Sequence, residues 1–253
     1  MKIPASGVVF ILISAAFISV LAQFGFFMPE QFVKGSANLS RFLAEAFPPD
    51  FSALSKTGEA LAETVKMAFA GTLLGFLIAF PIAIFSARNL FPPAVVYSAR
   101  FTAALLRTVP PLLWAIIFVI IVGLGPLAGT FSIALYTVGY LSKLYGELFE
   151  GTDPEVLEAV KGVGATKPYL VRYAVIPEGA NAILSQLLFM FEYNIRASSI
   201  LGFVGAGGIG FQIYVYLQTM EYRNLTAVLI LILGIVLFMD FLGGLLRRRF
   251  LLA

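Results

Sequence analysis

Glu158-Ala159-Val160-Lys161-Gly162-Val163-Gly164, running on to Val175-Ile176-Pro177, is a polar, glycine-punctuated stretch between two apolar runs of membrane-spanning length. Just upstream, Thr152-Asp153-Pro154-Glu155 reads as a helix start. Either Thr152 caps and Glu155 completes a capping box, or Asp153 caps with Pro154 at the first helical position. The helix then runs through Val156, Leu157, Val160 and Val163. Leu157 and Val160 share one face at i,i+3, and Glu158 and Lys161 share another. Gly164 stops or sharply bends the helix, because glycine takes positive φ without penalty. Thr166-Lys167-Pro168 starts a second short helix that is expected to end near Pro177. Helix, hinge and helix make a compact knob. Such a knob can dock in a groove on a partner and transmit a push.

The surroundings say what the knob is attached to. Of 253 residues, 60% are hydrophobic and 12% charged. A soluble domain carries about a quarter charged residues, so this chain lacks the polar surface to face water on all sides and its natural solvent is a lipid bilayer. The net charge of +3 comes with no Lys/Arg block suited to nucleic acid. There is no cysteine and no histidine. That removes disulfides, thiolate nucleophiles, Cys/His metal sites and the commonest general base.

A span needs roughly 20 apolar residues. Six stretches qualify or come close, at about Val8–Phe27, Val65–Ala87, Pro111–Val122, Leu127–Leu144, Asn181–Leu201 and Leu225–Leu246. The first follows Lys2, and Val20-Leu21-Ala22 resembles a cleavage site. Its apolar run continues through Phe24, Phe26 and Phe27, so an uncleaved anchor is expected. Residues 28–60 read as one sizeable polar loop. Tyr97–Arg107 reads as a helix from which the third span continues, and Gly123-Leu124-Gly125-Pro126 as a tight turn. Gly71 and Gly75 form a small-xxx-small pair expected to pack helices closely. The expected class is an all-α polytopic membrane protein of about six crossings. Residues 1–60 form an N-terminal anchor and outward loop, and 61–253 a core carrying the knob at 150–180.

Charge sets the orientation. Arg247-Arg248-Arg249 place the C-terminus in the cytoplasm by the positive-inside rule. Counting back, Lys2, Arg88 and the loop with Lys161, Lys167 and Arg172 share that side. The 28–60 loop faces outward and carries both signs.

Glu192 and Arg196 lie inside the fifth span on one helix face. Ionisable groups there cost at least a few kcal/mol and call for a role. They read as a self-paired structural bridge, or as positive potential on an anion pathway. Gly205-Ala206-Gly207-Gly208-Ile209-Gly210 fits the dinucleotide fingerprint on paper. Between membrane spans and without a βαβ unit it reads as a glycine-rich bend. No phosphate-cradling Gly-x-x-x-x-Gly-Lys-[Ser/Thr] occurs, so any ATP is hydrolysed on another chain. A secondary transporter is the rival class, but Glu192 and Asp240 are the clear intramembrane acids and no repeat accompanies them. An intramembrane enzyme lacks both the histidine and the acid pair that such chemistry needs.

The knob resembles the coupling loop of ABC-importer permeases. Their pattern is close to Glu-Ala-Ala, a glycine four residues on, and Ile-x-Leu-Pro after that. Glu158, Ala159, Gly164 and Pro177 match, while Val160 replaces the second Ala and Ile176 stands before the proline where Leu is usual. The runs Glu192-Tyr193-Asn194-Ile195-Arg196-Ala197-Ser198 and Leu201-Gly202-Phe203-Val204-Gly205-Ala206-Gly207-Gly208-Ile209-Gly210 are similar to the phosphonate-type members of that group. So is Arg107-Thr108-Val109-Pro110 with Trp114-Ala115, although Pro111 stands where an acidic residue is usual.

The resemblance implies a type I importer fold and import of phosphonate, phosphite or phosphate by alternating access. Another small solute, such as an amino acid, is the alternative cargo. It also implies no cofactor on this chain, with ATP and Mg on partner ATPase subunits. An extracytoplasmic solute-binding protein and a second permease copy would complete the assembly. Asp153, Glu155, Leu157, Glu158, Ala159, Lys161, Gly164, Ala165 and Pro177 would form the ATPase-coupling loop. Arg107, Glu192, Asn194, Arg196, Ser198, Gly205, Gly207 and Gly208 would line the pathway or the subunit interface.

Overall fold

The computed structural model describes residues 5–250, with side chains from 7 to 246. Lys2 lies outside the described residues, as do the side chains of Arg247, Arg248 and Arg249. The chain divides into two compact units between Pro48 and Pro49.

The first unit holds α1 (Ala5–Gln23) and α2 (Pro29–Ala46). α1 carries apolar residues on every side. The first apolar run is helical only to Gln23, and Gly25 turns the chain with φ +73°. Residues 28–60, expected as a loop, are largely helical. Phe32, Val33, Leu39, Phe42 and Leu43 recur among the charges of α2 and make it amphipathic. Average polarity hides such a helix, while its periodicity reveals it.

The second unit is helical throughout its described length: α3 (Leu54–Phe85), α4 (Pro93–Thr108), α5 (Pro111–Val122), α6 (Pro126–Glu150), α7 (Pro154–Gly162), α8 (Lys167–Leu170), a π-helical turn (Val171–Val175), α9 (Ile176–Leu201), α10 (Ile209–Gln218) and α11 (Tyr222–Phe250). Among the described residues, three helices can cross a membrane by length and composition: Leu54–Phe85, Lys167–Val204 and Tyr222–Leu246. The α4–α5 pair is a fourth if a bent pair counts as one span. α5 does not continue α4 as the sequence suggested. The two meet at 86°, because Pro110 and Pro111 remove donors and disfavour helical backbone before them. The Trp114 indole N–H donates to the Leu106 carbonyl at 3.1 Å across the bend.

α6 is long enough to span but is not among those three, and the reason is its position. It forms the centre of the unit, with Ser132, Thr137, Leu141, Ser142, Tyr145 and Phe149 buried. A helix walled by protein has no need of lipid-compatible surface, so hydropathy under-reports it. α3 makes the most extensive contact with it. A Cβ on Gly75 would stand 2.5 Å from the Thr137 Cβ, so the predicted small-residue pair does bring two backbones together. Asn194 of α9 completes the three-helix centre. Its amide donates to Thr72 Oγ1 at 2.8 Å and Thr137 Oγ1 at 2.9 Å, joining α9 to α3 and α6.

Candidate functional site: an exposed knob and the polar positions behind it

Asp153, rather than Thr152, caps α7. Its carboxylate accepts from the Glu155 N–H at 2.8 Å, and Pro154 fills the first helical position. The buried Thr152 hydroxyl instead donates to the Phe149 carbonyl of the preceding helix at 3.0 Å. Leu157 is the root of α7. It is 4% exposed and packs in the cluster that holds Tyr145, Phe149, Leu170 and Val175. Glu155, Glu158, Ala159 and Lys161 are exposed on the outer side, while Ala165 is half-buried. Val163 at the tip is 84% exposed. Gly164 has φ +81°, and its N–H donates to the Lys161 carbonyl at 2.8 Å. The hinge is as expected, and a Cβ there would meet open space.

The second half of the knob differs from expectation. No helix ends near Pro177; a helical run of 38 residues passes through it from Lys167 to Val204. The π turn explains how. The Ile176 N–H donates to the Val171 carbonyl, five residues back. That wider turn accommodates a proline, which lacks a donor and would crowd the carbonyl four residues before it. The knob is therefore built on the end of a transmembrane helix.

Sequence reading missed the residues that fasten it. Glu178 accepts the Asp153 N–H at 3.0 and 3.3 Å, tying the start of α7 to α9. The Asn89 amide donates to the Phe149 carbonyl at 2.8 Å. Glu150 receives Arg100 at 2.6 Å and Arg88 at 3.5 Å, and Arg100 also donates to the Ser86 carbonyl at 3.0 Å. These groups bind the α3–α4 corner to the end of α6. The one sequence signal was a run of cations and a carboxylate at the predicted cytoplasmic helix ends. Their pairing is long-range and leaves no spacing pattern.

The residues proposed for a pathway or interface separate into four places. Glu192 and Arg196 do pair, at 3.0 Å, with Arg196 46% exposed and Glu192 15%. Asn194 and Ser198 are fully buried in this chain's own core, where the Ser198 hydroxyl donates to the Asn194 carbonyl. Gly205, Gly207 and Gly208 all have positive φ and form the bend into α10. There the Gly208 N–H donates to Glu63 at 2.7 Å and the Ile209 N–H to Thr64 at 2.8 Å, an N-terminal cap supplied by α3. The Gly125 N–H donates to the Gly205 carbonyl at 2.9 Å. Arg107 is apart from all of these, at the C-terminal turn of α4.

Known proteins can now be set beside this geometry. Residues 67–252 match the family described as binding-protein-dependent transport system inner membrane component. The phosphite transport system permease protein PtxC of Stutzerimonas stutzeri is 36% identical over 219 residues, 86% of this chain and 80% of that protein. The phosphate-import permease protein PhnE of Mycolicibacterium smegmatis is 37% identical over 204 residues, 80% of this chain; the match spans 38% of that longer protein. Among solved structures, an inward-facing conformation of the MetNI methionine ABC transporter superposes with a TM-score of 0.70 at 21% identity. That match covers 79% of this chain and 98% of the other, and it establishes the shared fold. The chain is thus a membrane-embedded permease that belongs to the family of binding-protein-dependent transport system inner membrane components.

Proposed function

We propose that this permease imports a phosphorus oxyanion, of the phosphonate, phosphite or phosphate type, by alternating access driven by ATPase subunits on separate chains. The observation that carries the mechanical part is the rooted knob. α7 presents exposed Glu155, Glu158, Lys161 and Val163 outward, while Leu157, Asp153 and Glu178 fix it to the end of α9. A surface that projects and is also fastened to a transmembrane helix suits transmission of force. The relatives named for phosphite and phosphate import supply the cargo class.

The knob and both termini face the cytoplasm, following the cation distribution of the sequence. A solute-binding protein delivers the anion on the opposite face. Two copies of this chain enclose the route between them, since one set of spans does not form a closed pathway by itself. ATP binding draws the ATPase subunits together and moves the two knobs. The energy goes into the conformational switch, with no chemistry on the cargo.

The test is co-purification of the tagged permease from its native membrane, followed by reconstituted uptake of phosphite, methylphosphonate and phosphate. The expected result is an ATPase and a binding protein in the complex, and ATP-dependent uptake of at least one of the three. Uptake that persists without ATP while an ion gradient is kept would overturn the proposal.

A further inference from the structure

Between α4 and α6 lies a cavity of about 230 Å³ that the coupling and packing roles above leave unused. Arg100, Arg107, Lys143, Ser142 and Glu147 line it, so three cations face one carboxylate. Arg100 is committed to Glu150, and Lys143 to Glu147 at 3.5 Å. Among the described residues, Arg107 has no ion pair. Its backbone is nonetheless fixed against α6. A Cβ on Gly139 would come within 2.5 Å of the Arg107 backbone nitrogen, so α4 lies close against α6 here. Arg107 is exposed on α4, so its guanidinium is open to a ligand that enters the cavity.

α6 supplies a second, independent feature. This helix is mostly buried, yet Tyr136, Tyr140, Lys143 and Glu147 stay accessible and recur at i, i+4, i+7 and i+11. They form one polar stripe about 16 Å long. At its far end Tyr193 stacks on Tyr136 at 5.7 Å, and Arg196 lies one turn along α9 from Tyr193. The stripe thus links the half-exposed Arg196 to the cationic cavity.

We propose that this cavity is a stopping site for a tetrahedral oxyanion, with Arg107 as its principal ligand, Lys143 as the second, and the tyrosine stripe leading to it. The inference rests on the oxyanion reading above and adds a place where the cargo binds the permease itself. The volume is several times the about 30 Å³ share of one liquid water, which is room for such an anion. Lys143 can exchange Glu147 for the incoming charge, because a half-exposed i,i+4 pair is weak.

The experiment uses the purified permease–ATPase complex without its binding protein, and radiolabelled inorganic phosphate in equilibrium dialysis. Wild type is expected to bind phosphate, with displacement by phosphite or methylphosphonate and not by equal chloride. Arg107→Gln should weaken binding by about tenfold or more, the loss of one charge-assisted hydrogen bond, and Arg107→Lys should keep part of it. Ala104→Leu leaves every charge in place and fills the cavity, so it should weaken binding too. It carries the test if Arg107→Gln fails to assemble.

Unchanged binding in the Arg107→Gln and Ala104→Leu complexes, with wild-type import intact, would overturn the site and leave the import reading standing. Displacement by phosphatidylglycerol but not by phosphite would assign the cavity to a lipid headgroup and overturn it as well. A wild-type complex that neither binds nor imports any phosphorus oxyanion would remove both readings.

Discussion

Replacing Leu157 with Ala tests whether the knob works as a fastened lever. α7 has nine residues. An isolated helix below about 12–15 residues is marginal in water, so α7 depends on its attachments. Those are the Leu157 side chain in the cluster with Leu170 and Val175, the Asp153 cap, and the Glu178 bond to the Asp153 N–H. Truncating a buried leucine costs about 2–5 kcal/mol, against about 1 kcal/mol for a cap. Leu157 is therefore the dominant fastening. At 1.4 kcal/mol per factor of ten, its loss raises local opening of α7 about thirtyfold or more. Hydrogen exchange of the amides at 157–163 should accelerate accordingly, while amides in the middle of α6 stay protected. In the reconstituted complex, uptake should fall much further than ATP hydrolysis. Val163→Ala is the control. This side chain is 84% exposed, so its loss should leave exchange unchanged and lower affinity for the ATPase. A Leu157→Ala complex with wild-type exchange at 157–163 and full uptake would refute the lever.

Three further outcomes follow from the same geometry. Gly164→Asn should be tolerated and Gly164→Val should uncouple hydrolysis from uptake, because φ +81° strains a β-branched residue by about 1–3 kcal/mol although space is open; equal transport by both variants would remove the hinge. Asn194→Leu loses two interhelical bonds, at about 0.6 kcal/mol each on average and up to about 1.7, so the detergent-solubilised protein should melt a few degrees lower yet still assemble. Asn194→Asp places a charge in a fully buried site and should abolish assembly; thermal melting and size-exclusion profiles of both variants decide the point. Gly75→Leu pushes a side chain into Thr137 and should destabilise the α3–α6 pair by about 1–3 kcal/mol or more, read as a lower melting temperature.

The legible parts of this fold were those written in local pattern. The α7 start at Asp153-Pro154, the positive-φ stop at Gly164 and the close packing at Gly71 and Gly75 follow from single residues whose backbone chemistry has few outcomes. Failures came where the neighbours decide. Residues 29–46 looked like loop because charge masked the periodicity of Phe32, Leu39 and Phe42. Pro177 looked like a terminator because the π turn that absorbs it is a property of five residues held by the core around Val171 and Val175. Asn194 and Ser198 read as pathway or interface residues because polarity inside a span suggests function. Partners 57 and 122 residues away made Asn194 a bolt instead. Glu178 carried no local signal, since its partner, the Asp153 N–H, is 25 residues distant.

These attachments restrict how the proposed motion can occur. The run from Lys167 to Val204 joins the knob directly to the glycine bend at 205–208. If α9 slid along its neighbours, it would break the Asn194 bonds to Thr72 and Thr137 and the bond from Tyr145 Oη to the Ile183 carbonyl at 2.9 Å. Buried groups left without partners are costly, and close packing through Gly75 gives α3 no slack against α6. On the proposed reading, a push on the knob would therefore move α3, α6 and α9 as one body. The chain turns lie at the edges of that body. Val109-Pro110 lets α5 stand at 86° to α4, and Gly123 and Gly125 turn the chain with positive φ before α6. On the proposed two-copy reading, alternating access would be a rocking of one copy against the other. Arg196 and the α6 stripe would then face cytoplasm and outside in turn without the central bolts opening.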